Sequence, residues 1–233
     1  MDRARAAAEA QVKAAKVLPA AYLRDLFDGD EARQWPRKRI GDFAKVQSGH
    51  AFKSEWFVKD GIRLLRNANI FQNRIGWDDV VYLPESRRSD FVAFELTVGD
   101  IVLTLDRPIV SNGLKVARVT AKDVPSLLLQ RVGRFQLHGE IDPGYLFAFV
   151  NSPTFIRQIT GHEQSLGVPH ISPKQVELAE LPVPEGTAQR RLVAALEARL
   201  KSADSVCSGL LQQLQAINAM PAALLRPAFQ GRL

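Results

Sequence analysis

The sequence of 233 residues predicts an α+β fold. It comprises one globular mixed α/β domain, a short N-terminal helical segment and a long C-terminal coiled-coil helix. Three observations predict this. Val193, Leu196, Leu200, Ala203, Cys207, Leu210, Leu214 and Ile217 follow one another at intervals alternating between three and four, a heptad seam. Between residues 39 and 137, short β-prone runs alternate with glycine-bearing turns, and helical patterns follow only afterwards, which argues against a parallel doubly wound sheet. Finally, residues 17–29 recur as residues 219–231 and bracket the globular part. Pro19/Pro221, Ala20/Ala222, Ala21/Ala223, Leu23/Leu225, Arg24/Arg226, Phe27/Phe229 and Gly29/Gly231 are identical. The chain therefore divides into a helical segment (1–34), a globular domain (35–185) and a long helix with its tail (186–233).

Residues 2–27 are rich in Ala, Lys, Arg and Leu and predict helix, with Pro19 ending one helix and opening a second at its first turn. Residues 28–34 form a polar linker, and Trp35-Pro36 opens the domain. Strands are expected within 39–47 and at 62–66, 80–83, 101–105, 114–119, 127–130 and 132–137. A helical stretch over 143–159 is broken near Ser152-Pro153, and residues 161–170 read as a polar loop. Ser172-Pro173 has the form of an N-cap and first helical residue for a short helix through Leu178. The prolines of Leu181-Pro182-Val183-Pro184 keep that segment extended. The last helix, predicted over 187–218, would be about 48 Å long at 1.5 Å per residue. It cannot bury its own seam, so a partner helix must come from a second copy, another subunit or the N-terminal helix.

The hydrophobic fraction of 46% supports a genuine core. No apolar run reaches membrane-span length, and the N-terminus lacks a secretory signal pattern, so a cytoplasmic location is expected. The single cysteine, Cys207, sits on the seam and reads as a core residue. Phosphate-binding loops, dinucleotide fingerprints, nucleophile elbows and metal-type His/Cys spacing are absent, which moves expectation from enzyme to binding protein. Net charge is +6, and six Lys/Arg against two acids fall in residues 43–74. That bias permits nucleic-acid binding without requiring it.

Major-groove readout uses Arg or Lys for guanine and Asn or Gln for adenine. Those types cluster at Arg66, Asn67, Asn69, Asn73 and Arg74, and again at Arg107, Asn112 and Lys115. Ordinary turn chemistry is the simpler explanation of any single Asn there; the joint occurrence of Arg, Asn and Lys in adjacent turns is what points to DNA. A third candidate is the run Gln164 to Ser172. In it Gly167 permits close backbone approach, and Ser165 and His170 suit phosphate oxygens, although Ser172 also serves as a cap.

Several segments, in order, resemble the specificity subunit of type I restriction-modification systems. Trp35-Pro36 with Ile40-Gly41-Asp42 and the run Ser48-Gly49-His50-Ala51-Phe52-Lys53 resembles the opening of a target recognition domain. Gly99 to Thr104 and Asn112 to Ala117 resemble its central strands. Gly167 to Ser172 followed by Leu181 to Pro184 resembles its close. The run Gln189 to Val193 resembles the start of the spacer helix. The resemblance implies a non-catalytic subunit that reads one half of a split DNA target, and adds Ser48, His50 and Lys53 to the expected DNA contacts. It also implies a layout of two recognition domains on two antiparallel helices, of which this chain holds one each. A second copy pairing along the seam residues Val193 to Ile217 would complete it. Methyltransferase and restriction subunits would be the partners, with S-adenosylmethionine in the first, ATP and Mg in the second, and no cofactor here. The leading rival is a coiled-coil adaptor that binds protein instead of DNA.

Overall fold

The computed structural model describes residues 2–110, 113–160 and 170–229, with side chains as far as Met220. Helix α1 (Asp2–Asp28) leads into the body, and helix α5 (Gly186–Phe229) leaves it. At 1.5 Å per residue they are about 40 Å and 66 Å long. Tyr22 and Asp25, near the end of α1, lie beside Arg199, near the start of α5, and α1 is buried along its length back to Ala8, so the two helices run antiparallel.

The predicted seam is the face that the fold covers. From Ala194 through Met220, Leu196 and Ala203 are buried and Leu200, Cys207, Leu210, Leu214 and Ile217 are half-buried; every other position is exposed. The covering helix lies in the same chain: α1 buries Ala8, Val12, Ala15, Leu23 and Phe27. Two sequence expectations are corrected here. Pro19 does not divide α1, which runs straight through it. The hydrogen bond removed by the proline is offset by burial on both sides of it. Nor does α5 stop at residue 218. It continues to Phe229, through an alanine- and leucine-rich run of high helix propensity.

Strands β2 (Ala44–Ser48), β7 (Ile101–Thr104), β10 (Val116–Arg118) and β12 (Val132–Leu137) form a four-stranded antiparallel sheet in the order β10-β7-β12-β2. A three-stranded sheet joins β11 (Ser126–Leu128), β3 (Ile62–Leu65) and β6 (Tyr82–Leu83), with β11 and β3 parallel. Two hairpins, β4 (Ile70–Phe71) with β5 (Arg74–Ile75) and β8 (Ile109–Val110) with β9 (Gly113–Leu114), were not anticipated as hairpins. Helices α2 (Pro143–Val150) and α3 (Pro153–Thr160) break where expected, and α4 (Pro173–Leu178) carries the predicted Ser172 cap, whose hydroxyl accepts from the Gln175 N–H at 3.2 Å.

Strand β1 (Arg37–Arg39) pairs antiparallel with β13 (Glu180–Pro182), so the chain enters and leaves the body side by side. Phe27 anchors α1 there. Its ring is fully buried and meets Tyr145 and Phe149 edge-on, each at 5.2 Å between centroids. The Tyr145 hydroxyl donates to the Pro182 carbonyl at 2.9 Å. The Asp28 carboxylate accepts from Thr154 Oγ1 at 2.7 Å and pairs with Arg157. Burial alone would raise the Asp28 pKa, but the Thr154 and Arg157 hydrogen bonds hold it below its ordinary 3.8.

Candidate nucleic-acid interface

Two turns, one strand end and the segment at residues 170–171 meet at one edge of the body. His50 donates its N–H to the Leu128 carbonyl at 3.0 Å and accepts from the Gln130 N–H at 2.8 Å, which joins residues 48–50 to the β11–β12 turn. That close approach requires Gly49, because a Cβ there would lie 2.2 Å from the Leu129 carbonyl oxygen. The Leu105 N–H donates to the Arg131 carbonyl at 2.7 Å, and the Ile171 N–H to the Leu105 carbonyl at 2.9 Å. These bonds bring the 105–107 turn and residues 170–171 alongside.

Asp106 is the hub of this edge. Its carboxylate accepts from an Arg131 Nη at 3.1 Å and lies 3.0 Å from His170 Nδ1. Its backbone carbonyl accepts from Asn67 Nδ2 at 3.0 Å and lies 2.9 Å from Thr104 Oγ1. Below it, Lys115 Nζ donates to Asn67 Oδ1 at 3.0 Å. Burial pushes the Lys115 ammonium pKa down, and the Asp106 charge works against that shift. Arg107 is exposed beside the hub with a left-handed φ of +45°, and Arg131 adopts φ +68°.

The sequence-predicted contacts therefore separate into groups. Ser48, His50, Arg107 and His170 share this edge, and Lys53 lies nearby, exposed, with its ammonium 5.5 Å from the Trp56 ring centroid. His50 itself is half-buried against Phe52, Phe91 and Phe94. Asn67 and Lys115 form the support beneath the edge. Arg66 is tied to Asp79 at 2.7 Å, and Asn69 is 1% exposed, with its amide bonded to the Gly76 and Asp79 carbonyls. Those two side chains hold the base of the β4–β5 hairpin. Asn73 and Arg74 are exposed at its tip, where Arg74 stacks on Phe71 at 4.0 Å. That tip borders a cleft of about 890 Å³ with Lys16, Phe147 and Glu197, away from the Asp106 edge. Asn112, Ser165 and Gly167 lie outside the described residues. Asp106 and Arg131 escaped sequence reading; an arginine in a short gap between strands was the one signal that pointed to them. Among the described residues no cluster of His, Cys, Asp or Glu has the arrangement of a metal site, and no helix is long and apolar enough to cross a membrane.

No protein-family model matches the chain. It is 37% identical over 207 residues to the specificity subunit of type I restriction enzyme EcoAI of Escherichia coli, covering 88% of this chain and 35% of that protein. It is 31% identical over 179 residues to the MjaVIII specificity subunit of Methanocaldococcus jannaschii, covering 76% of this chain and 41% of that one. The chain thus spans well under half the length of these curated relatives. Among solved structures, a chain from a study of complex assembly and conformational transition in the type I R-M system superposes with TM-score 0.75 at 17% identity, covering 100% of this chain and 57% of that chain. The HsdS subunit from Thermoanaerobacter tengcongensis superposes at 0.65 with 18% identity, again over 100% of this chain and 54% of that chain. At these identities the structural matches establish the fold.

Proposed function

Since the chain belongs to the type I restriction-modification specificity subunits, we propose that it reads one half of a bipartite DNA target and directs methyltransferase and restriction subunits to it. The observation that carries this reading is the similarity to a named specificity subunit over 88% of the chain. The polar edge around Asp106, with Arg107, Arg131 and His170 exposed on it, gives the reading a physical surface. The chain has no catalytic role of its own in this scheme. Methyl transfer from S-adenosylmethionine belongs to the methyltransferase partner, and ATP- and Mg-dependent cleavage to the restriction partner. A second recognition domain, supplied by a second copy docking along the outer part of α5, would read the other half-site. Val206, Leu211 and Met220 are exposed along that stretch and offer apolar area for such a contact.

The test is adenine-methylation mapping in a methylase-free host that expresses the chain with its cognate methyltransferase subunit. A split palindromic motif that vanishes without the chain supports a homodimeric reader; an asymmetric motif points to a different second domain. A soluble complex that leaves no motif overturns the reading in favour of a protein-binding adaptor. Charge reversal at Arg107 and Lys53 separates the same two classes in vitro. Removing one phosphate interaction makes the slope of log affinity against log salt shallower by about 0.9, whereas an adaptor's partner binding is unchanged.

A further inference from the structure

We infer that Arg131, aimed by Asp106, is a specificity-determining residue of this chain and reads a guanine edge in the major groove. The inference rests on the DNA-reading function proposed above. Local folding does not explain an arginine at this point. Residues 130–131 close the turn between β11 and β12, and Arg131 sits at φ +68°, where glycine or asparagine is the relaxed choice. The residue following the hub, Arg107, is also left-handed, at φ +45°. Two arginines at left-handed turn positions therefore flank a single carboxylate. Both are exposed, the Arg131 side chain at 64%, whereas the Asp106 side chain is only 13% exposed.

The carboxylate does for Arg131 what solvent cannot. An exposed arginine samples many rotamers and gives up that freedom when it binds. Here one Nη is held 3.1 Å from Asp106 Oδ2, and Asp106 is itself fixed by His170 and, through its carbonyl, by Asn67. The Nε and second Nη of Arg131 have no partner among the described residues. They leave an oriented donor edge whose chemistry matches the O6 and N7 acceptors of guanine. His170, exposed and with Nδ1 3.0 Å from Asp106 Oδ1, adds a second polar group beside the hub.

The test uses the full chain in complex with its methyltransferase subunit. The probes are a duplex carrying the mapped motif and one of shuffled sequence, each bound over a series of salt concentrations. Arg131→Gly relaxes the turn, so the thermal midpoint holds or rises. It should lower affinity for the motif duplex about 5- to 150-fold, the range for one bidentate base contact, leave shuffled-duplex affinity nearly unchanged, and loosen the methylated motif at one position. Arg131→Lys keeps the charge and a guanine-capable donor but loses the planar fork that Asp106 orients, so it should leave shuffled-duplex affinity unchanged and lower motif affinity by less than Arg131→Gly does. Asp106→Asn should weaken the discrimination alone and add nothing in the Arg131→Gly background. If Arg131→Gly leaves the motif and both affinities intact, or lowers both affinities equally, the inference is overturned, the second result marking a phosphate contact. If the wild-type complex shows no preference for any duplex, the DNA-reading function itself falls, and this inference with it.

Discussion

The two ends of the α1/α5 pair are built differently. At the body end, four helices close on each other: Leu196 of α5 is buried, Phe27 of α1 is fully buried against Tyr145 and Phe149 of α2, and Asp28 is tied to α3. Farther out, α5 meets α1 alone. Leu210, Leu214 and Ile217 are only half-buried there, and Val206 and Met220 are 52% and 47% exposed. Two helices protect one stripe apiece; a third element is needed before a helix side chain is enclosed on all sides. The inner end is therefore a joint of the body, and the outer end is a two-helix rod with apolar surface to spare.

Substitutions should break that contrast in a definite order. Phe27→Ala removes the anchor of the inner joint and should cost about 3–5 kcal/mol in denaturant unfolding. Ala203→Leu overfills a buried position between α1 and α5 and should cost about 1–3 kcal/mol. Lowering the pH tests the joint through Asp28. Its folded pKa lies below 3.8, so its contribution is present above that value and is lost as pH falls through the folded pKa. Asp28→Asn should flatten that part of the stability profile, measured from pH 5 downward. Val206→Ala at the outer end should change unfolding by no more than about 0.5 kcal/mol. Sedimentation should nevertheless show weaker self-association wherever the rod carries the dimer contact. A drop in folding stability equal to that of Phe27→Ala would abolish the distinction between the two ends.

What the sequence revealed follows the same division. A heptad seam declares its face, and every member of the seam from Val193 to Ile217 is buried or half-buried. Its counterpart on α1 did not stand out, because Ala8 and Ala15 are small and Pro19 looks like a break. Ser172-Pro173 announced its helix because capping is local chemistry. Polar turns carry no such signature. Asn67, Asn69 and Arg107 share a residue chemistry that suits DNA, yet Asn69 is enclosed, Asn67 holds Asp106 and Arg107 faces solvent. Which partner a polar side chain finds depends on neighbours tens of residues away: Asn67 and Lys115 are 48 apart in sequence. Nothing in the local sequence encodes that meeting.

The pairing of β1 with β13 has a consequence for evolution as well as for folding. The body hangs between two helices by adjacent strands, Arg37 opposite Pro182, with the Tyr145 hydroxyl fastened to the second of them. In topology it is a cassette with a single doorway. A different cassette presenting the same pair of strands and the same aromatic socket for Phe27 would fit onto unaltered helices. Recombination at the doorway would therefore change the surface the body presents while conserving what holds it.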